Sequence, residues 1–229
     1  WNKANETATV ANGISSLFTM IEGAFSPDRL LQVFRDFVFY PDDSKKNEAI
    51  ICRYPQFFAA NKMLASLSQH KRPDGDGKGG IYFGATGCGK TYTMLFLSRQ
   101  LMLRKKDVFH NPTIVLITDR EDLDTQTSKL FVTAKEYLHD KNIKSIESRD
   151  DLHDTLSNCE SGGVYITTIQ KFCESTGLLS DRSNIICISD EAHRSNAGVN
   201  AKLKKTDKGV FKLCDIILAS DTCSLVNSE

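Results

Sequence analysis

The residues best placed to do chemistry lie in a glycine-rich segment, Gly84-Ala85-Thr86-Gly87-Cys88-Gly89-Lys90-Thr91, which matches the pattern G-x-x-x-x-G-K-[ST]. Glycines at these positions let backbone N–H groups turn inward around a phosphate without a side-chain clash. Lys90 would reach the β- and γ-phosphates, and the Thr91 hydroxyl would coordinate Mg²⁺. An accidental match is the alternative, but a predicted strand before the segment and a predicted helix after it favour a phosphate-binding loop.

A pair of carboxylates follows another apolar segment further along the chain. Asp190-Glu191-Ala192-His193 comes directly after the predicted strand Ile185–Ser189. In open parallel sheets, ligands bind at the carboxyl ends of the strands. Asp190 would hold Mg²⁺, directly or through water, and Glu191 would orient or deprotonate the attacking water. A solvated acidic turn is the alternative for this tetrapeptide alone, and the phosphate loop upstream argues against it.

Short apolar segments alternate with helix-length segments from residue 80 onward. The strands that we predict span residues 80–83, 113–118, 164–168, 185–189 and 215–219. They are rich in Ile and Val and do not alternate with polar residues, as expected of strands buried on both faces. Strands interleaved with helices predict βαβ units, and the sequence therefore predicts an α/β fold with a mainly parallel sheet flanked by helices.

Two helices and a loop are predicted ahead of this sheet. Ser26 as N-cap and Pro27 in the first turn indicate a helix start. Its apolar face is formed by Leu30, Leu31, Val33, Phe34, Phe37 and Val38. A second helix is predicted after residues 53–56, and residues 71–80, rich in Gly, Asp and Lys, are predicted to form a mobile surface loop.

The composition excludes several classes of protein. With 40% hydrophobic and 25% charged residues, the chain is neither disordered nor fibrous in type. The 29 basic and 29 acidic residues cancel, so any contact with nucleic acid would come from local loops. Seven cysteines without a CxxC pair favour reduced thiols in a cytoplasmic protein over a disulfide framework or a zinc site. No apolar run reaches the ~20 residues of a membrane span, and no signal peptide opens the chain.

Together, the phosphate loop and the Asp-Glu-Ala-His segment form the pattern of superfamily 2 helicases and translocases. Further segments resemble the R (restriction) subunit of type I restriction enzymes. The resemblance covers about residues 14–198, and it is carried by a lead-in at 21–31, a Q-motif at 53–62, a motif Ia region at 118–126, the next DNA-side motif at 162–172, and the flanks of the acidic strand at 179–184 and 193–195.

This resemblance implies a RecA-like P-loop domain that binds ATP and Mg²⁺. Residues 1–50 would be a helical lead-in or linker following a nuclease domain, and residues 51–229 would be the first motor domain. Gln56 would read adenine through its amide, and His193 would couple the site to movement. The residues that would face the DNA backbone are Asp119, Arg120, Thr167, Thr168 and Lys171. For Asp119 and Arg120, a local salt bridge is an equally good interpretation.

The resemblance also implies partners, namely double-stranded DNA and the methyltransferase and specificity subunits of a restriction-modification complex. Some family features have no counterpart here. Residues 1–25 lack a nuclease-type carboxylate cluster, Ser220-Asp221-Thr222-Cys223 stands where Thr-Gly-Thr is expected, and we find no second motor domain. Since the chain begins at Trp1, we expect a piece of a longer protein, one that binds nucleotide but alone hydrolyses it slowly. The alternatives are another superfamily 2 DNA or RNA helicase, or a nucleotide-gated binding module.

Overall fold

The computed structural model describes residues 14–42, 48–71, 74–84, 87–118, 121–171, 180, 182–190 and 214–219, with the backbone alone at 121–125 and 214–219. Its strands are β1 (Val38–Phe39), β2 (Ile50–Ile51), β3 (Lys78–Phe83), β4 (Thr113–Thr118), β5 (Ile143–Ser145), β6 (Val164–Thr168), β7 (Ile185–Ser189) and β8 (Cys214–Ala219). Within the described part, β3 to β8 form one sheet in the order β3-β8-β7-β4-β6-β5, and every pairing in it is parallel. The predicted α/β fold with a mainly parallel sheet is confirmed.

Helices flank this sheet and precede it. Their bounds are α1 (Ile14–Ala24), α2 (Pro27–Asp36), α3 (Tyr54–His70), α4 (Lys90–Arg99), α5 (Lys106–Phe109), α6 (Glu121–Val132), α7 (Lys135–Leu138) and α8 (Arg149–Asn158). A π-helical turn, Gln100–Arg104, continues α4, and a 3₁₀ turn, Ile169–Lys171, follows β6. No helix in the described part of the chain is both long enough and apolar enough to cross a membrane.

The predicted strands match the structure closely, since β4, β6 and β7 have the predicted bounds and β8 begins one residue earlier. All five residues of both β6 and β7 are buried, as a parallel sheet covered on both faces requires. The strand β3 begins at Lys78, so the last residues of the predicted 71–80 loop are in fact strand. The strand β5 was missed because it has three residues and lies at the edge of the sheet, where the apolar signal is short.

The first predicted helix begins as expected and ends early. Pro27 is the first residue of α2, but the hydroxyl of Ser26 donates to Gly23 O at 3.4 Å and makes no cap hydrogen bond among the described residues. The prediction that Phe37 and Val38 continue the helical face was wrong. The helix ends at Asp36, and Val38 begins β1, which pairs antiparallel with β2. The tertiary structure explains why the helix ends early. The short pairing of β1 with β2 lets Phe37 and Phe39 both enter the core, where each is fully buried.

The core between α3, α4 and the sheet includes residues from the lead-in. The ring of Phe37 lies 4.9 Å from that of Phe57 on α3 and 5.3 Å from that of Phe96 on α4, measured between centroids. Phe39 contacts the ring of Tyr137 at 5.2 Å. Burying a side chain of this size contributes roughly 1.5–3 kcal/mol. Residues 33–39 therefore belong to the same hydrophobic core as the helix that follows the glycine-rich loop.

A buried carboxylate, Asp36, reinforces this junction. Asp36 is fully buried, and its Oδ1 lies 2.6 Å from Arg104 Nε and 3.9 Å from Arg99 Nε. Its Oδ2 lies 2.9 Å from Arg35 Nη2, and its backbone carbonyl accepts a hydrogen bond from the hydroxyl of Tyr137. Burial lowers the pKa of Arg99 from its usual value, while the neighbouring Tyr137 and Asp36 act in the opposite direction. The carboxylate thus ties the end of α2 to the far end of α4.

Replacing Asp36 with alanine is expected to destabilise the chain by about 1.5–3 kcal/mol, because the mostly buried Arg99 and the more exposed Arg104 would lose their charged partner. Urea unfolding measures the change. The matched control is Asp154→Ala, which removes an exposed carboxylate that lies 3.6 Å from His153 and should change stability by less than about 0.5 kcal/mol. Equal, small effects of both substitutions would show that the Asp36 cluster does not hold α2 to α4.

Candidate functional site

The glycine-rich segment links the end of β3 to the start of α4, as the phosphate-loop pattern predicts. Gly87 and Gly89 have φ values of +76° and +84°, in the left-handed region that side chains disfavour. Gly89 is also the N-cap of α4, so the chain turns from loop to helix at this residue. The first helical residues are Lys90 and Thr91, the two positions that the pattern assigns to phosphate and Mg²⁺.

This loop has the geometry of an anion site. The first N–H groups of a helix cannot be paired within that helix, and the positive end of the helix dipole lies there. The first backbone hydrogen bond of α4 runs from Thr93 N to Gly89 O at 3.2 Å, so the preceding turn opens toward the loop. A helix of ten residues that follows two left-handed glycines fits a nucleotide phosphate.

The amide of Gln56 holds this loop from the side of α3. Gln56 is 5% exposed, and its Nε2 donates to Gly89 O at 3.1 Å and, more weakly, to Cys88 O at 3.4 Å. Its Oε1 accepts a hydrogen bond from Arg53 N at 2.8 Å, at the start of α3. A Cβ on Gly89 would clash with the Gln56 amide. The contact between the Gln56 amide and the loop therefore requires a residue without a side chain at position 89.

A cavity of about 380 Å³ opens beside this contact. Its walls come from β2, the start of α3, the loop and the first turn of α4, and they are formed by Ile50, Ile51, Arg53, Gln56, Gly87, Cys88, Gly89 and Tyr92. Pockets of roughly 300–1,000 Å³ are the usual size for small-molecule ligands. The position next to the loop, on the Gln56 side, is where the base of a nucleotide held by its phosphates could lie.

The thiol of Cys88 lies on the Tyr82 side of the loop. Its Sγ lies 4.0 Å from the hydroxyl of Tyr82 and would be 2.9 Å from a Cβ on Gly84. Burial raises the pKa of Tyr82 to about 12, and the neighbouring Cys88 adds to the effect. A second cavity of about 450 Å³, lined in part by aromatic residues, lies on this side, between α3 and β3. Cys88 contributes its backbone to the loop, while its side chain packs beneath the loop.

Asp190 lies on the same edge of the sheet as the loop. It follows β7, is 7% exposed, and its backbone N–H donates to Ile117 O at 2.8 Å. In the sheet, β8 separates β7 from β3, so the two strand ends lie ~10 Å apart at normal strand spacing. The two predicted halves of the site are therefore brought to neighbouring positions, although a hundred residues separate them in the chain. Among the described residues, no group of three or more His, Cys, Asp or Glu side chains is placed to hold a metal ion.

Several predicted site residues lie outside the described part of the chain. They are Thr86 in the loop, Asp119 and Arg120 after β4, and Glu191 and His193 after Asp190. Their roles remain predictions.

The structure does place the other candidates for DNA contact. Thr167 is fully buried and Thr168 is 3% exposed at the end of β6, and within the described residues the Thr167 hydroxyl has no hydrogen-bond partner. Lys171 is half-buried, and its ammonium group donates to the backbone carbonyl of Ile146. All three lie just beyond or at a strand end, as predicted, but the two threonine side chains do not face solvent in this conformation.

Sequence reasoning assigned Gln56, Gly87, Cys88 and Gly89 to the nucleotide site but missed the other residues that form the side cavity. Ile51 belongs to no chemical motif, and Arg53 is the first residue of the Q-motif but was given no role there; only the tertiary structure brings both residues to the loop. Tyr92 directly follows the phosphate-loop motif. Its aromatic side chain was the one sequence feature that could have indicated a residue of this cavity.

The contact between Gly89 and Gln56 gives a matched pair of substitutions. Gly87→Ala and Gly89→Ala each place a side chain in a left-handed conformation, which costs roughly 1–2 kcal/mol. Only Gly89→Ala adds a clash, because a Cβ on Gly87 would meet nothing within 4 Å. Gly89→Ala is therefore expected to be the more destabilising by about 0.5–1.5 kcal/mol in urea unfolding, which is the contribution of the Gln56 hydrogen bond that the displaced amide would lose.

The double variant Gln56→Ala/Gly89→Ala is the internal check. Removing the amide also removes the clash, so the double variant should be less destabilised than the sum of the two single variants by about 1 kcal/mol or more. Strict additivity, or equal effects of Gly87→Ala and Gly89→Ala, would contradict the close approach of α3 to the loop.

Comparison with known proteins shows which family the chain belongs to. The family model of the SWI2/SNF2 ATPase matches residues 55–215, which include the loop, the cavity residues of α3 and Asp190. A HindI type I restriction enzyme endonuclease subunit from Haemophilus influenzae is 37% identical over 193 residues, or 82% of this chain and 18% of that protein. A putative MjaIXP endonuclease subunit from Methanocaldococcus jannaschii is 33% identical over 200 residues, or 83% of this chain and 18% of that protein.

Solved structures agree on the fold. The UvsW helicase from bacteriophage T4 has a TM-score of 0.52 and 18% sequence identity, and the match covers 86% of this chain and 60% of that one. The chain spans about a fifth of the length of the curated relatives that it matches. The resemblance noted from the motifs is confirmed. With its phosphate loop, its parallel sheet and its match over residues 55–215, the chain belongs to the SWI2/SNF2 ATPase family, and its relatives are endonuclease subunits of type I restriction enzymes.

Proposed function

We propose that the chain is the ATP-binding motor domain of a type I restriction endonuclease R subunit, which couples ATP hydrolysis to translocation of double-stranded DNA ahead of cleavage. The observation that carries the proposal is the arrangement at one edge of the sheet. There, two left-handed glycines and the start of α4 form an anion site within ~10 Å of the strand end that bears Asp190. The two curated relatives described above support the restriction-enzyme assignment.

Each residue has a separate task in this proposal. ATP supplies a γ-phosphoryl group whose transfer to water drives the motor. Lys90 and the first N–H groups of α4 bind the phosphates, while Thr91 and Asp190 hold Mg²⁺. Glu191 orients or deprotonates the attacking water, and His193 couples the site to movement. Burial of Asp190 favours this role, because a carboxylate away from bulk water attracts a cation more strongly.

Gln56 would recognise the base while it supports the loop. An amide oxygen can accept two hydrogen bonds and an amide nitrogen can donate two. Oε1 uses one acceptor position on Arg53 N, and the shorter contact of Nε2 uses one donor on Gly89 O. The second acceptor matches the N6 amino group of adenine, and the donor that makes the weak contact to Cys88 O at 3.4 Å would exchange that contact for N7. Binding of adenine would then add to the contact that holds the loop in place.

The DNA backbone would follow the edge of the sheet at Asp119, Arg120, Thr167, Thr168 and Lys171. Side chains of these types position a backbone without reading its sequence. Lys171 is the most accessible of the three whose surroundings are described, and contact with the two buried threonines would require the residues over them to move. Methyltransferase and specificity subunits would complete the restriction-modification complex, since the matched relatives are restriction-enzyme subunits.

Nucleotide binding is tested first with Mg²⁺-ATP and isothermal titration calorimetry. Lys90→Ala should weaken binding about ten-fold or more, since a charge-assisted hydrogen bond contributes about 1.5–3 kcal/mol. The exposed Lys141→Ala is the control and should bind as the unaltered chain does. Asp190→Asn should bind ATP but lose most of the gain in affinity that Mg²⁺ provides. If Lys90→Ala and Lys141→Ala bind equally, the phosphate-loop assignment is wrong.

Contact with DNA is tested by the salt dependence of duplex binding. Each phosphate contact adds about 0.9 to the slope of log affinity against log salt concentration. Lys171→Ala should lower that slope by about this amount, whereas Lys144→Ala should leave it unchanged, because the ammonium of Lys144 is paired with Asp151 at 2.5 Å. Equal slopes for both variants would exclude Lys171 from the interface. Tighter binding of duplex RNA than of duplex DNA would favour an RNA helicase instead.

A further inference from the structure

Tyr92 is the one aromatic residue among those that line the 380 Å³ cavity beside the loop. It lies in the first turn of α4, two residues after Lys90, so it belongs to the same helix turn that would bind the phosphates. Its side chain is half-buried, which leaves part of the ring available to the cavity. The position brings an aromatic surface close to the place where the sugar and base of a bound nucleotide would begin.

The ring of Tyr92 is held in place from two sides. Beneath it, the fully buried ring of Phe96 stacks at 6.5 Å between centroids with an interplanar angle of 30°. Beside it, its Cδ2 would lie 3.8 Å from a Cβ on Gly89, so the ring edge rests against the loop. A ring that is already fixed loses little conformational freedom when a ligand binds to it.

The remaining walls of the cavity suit a flat, partly apolar ligand. Ile50 and Ile51 supply apolar surface from β2, and Gln56 supplies an amide at the side of the loop. Ile51 is 57% exposed, more than a core residue would be, so its side chain is accessible to a ligand. A nucleobase has two apolar faces and a polar edge, and this cavity offers apolar and aromatic surfaces together with one amide.

We infer that Tyr92 stacks on the base of the bound nucleotide, and the inference rests on the proposed ATP site. Stacking on an aromatic ring tolerates any base, because every base has a π-face. Gln56, in contrast, would read only the edge of adenine. The two residues therefore have different roles in binding. Tyr92 contributes affinity for any nucleotide, and Gln56 contributes the preference for adenine.

The test compares three probes, ATP, GTP and inorganic triphosphate, each with Mg²⁺, by isothermal titration calorimetry. Tyr92→Leu should weaken ATP and GTP by similar factors of about five-fold or more, from the usual strength of base–aromatic stacking. It should leave inorganic triphosphate unchanged, because that probe has no base. Tyr92→Phe keeps the ring and should bind all three probes as the unaltered chain does. The exposed Tyr40→Leu is the control for loss of a tyrosine elsewhere.

Two outcomes would overturn the stacking role. If Tyr92→Leu weakens inorganic triphosphate as much as ATP, Tyr92 only supports the loop. If ATP and GTP bind Tyr92→Leu unchanged, the base does not touch the ring. Failure of the proposed function has a different result, namely that Lys90→Ala binds inorganic triphosphate as well as the unaltered chain does. The comparison of Tyr92→Leu with Tyr92→Phe would still decide the stacking role in that case.

Discussion

The whole site depends on the close approach of the Gln56 amide to the backbone of the glycine-rich loop. Nε2 of Gln56 donates to Gly89 O at 3.1 Å, and this distance is possible only because residue 89 has no Cβ. The same residue has a left-handed conformation and begins α4. One hydrogen bond thus joins the start of α3, the turn of the loop and the start of the helix that would bind phosphate. The side cavity exists because these three elements meet there.

The helix that begins at this contact is also anchored at its other end. The π-helical turn Gln100–Arg104 carries α4 onward to Arg104, whose Nε lies 2.6 Å from the buried Asp36 of α2. Between the two anchors, Phe96 packs against Phe37 of the lead-in and stacks beneath Tyr92. A change in the conformation of the loop would therefore affect α4, which is held at both ends. This arrangement makes the lead-in part of the structural support of the site.

The parallel sheet accounts for the second half of the site. All of its strands run in one direction, so the loop after β3 and Asp190 after β7 emerge at the same edge with only β8 between them. The central strands are buried on both faces, which gives them a rigid position. A phosphate site and a carboxylate can then be held at a nearly constant separation, as phosphoryl transfer needs, since its catalysis rests mainly on positioning and charge.

Much of this could be predicted from local patterns. The Ile- and Val-rich segments specified β4, β6 and β7 with their observed bounds, because strands buried on both faces leave a continuous apolar signal. The order of glycines, Lys90 and Thr91 specified the loop, since each residue type meets a local requirement of backbone conformation or phosphate chemistry. The sequence by itself therefore determined the α/β class, the start of α4 at Lys90 and Thr91, and the strand end that Asp190 follows.

Other features were decided only by the tertiary structure. The helix ends at Asp36, before Phe37 and Val38, because the pairing of β1 with β2 buries the neighbouring aromatic residues, and a helical apolar pattern contains no information about that partner. The burial of Thr167 and Thr168 depends on what packs over the end of β6, which no local pattern records. The cavity beside Tyr92 combines residues from β2, α3 and α4. Their side chains meet only after these elements have packed around a common core, so the shape of this cavity is a property of the fold as a whole.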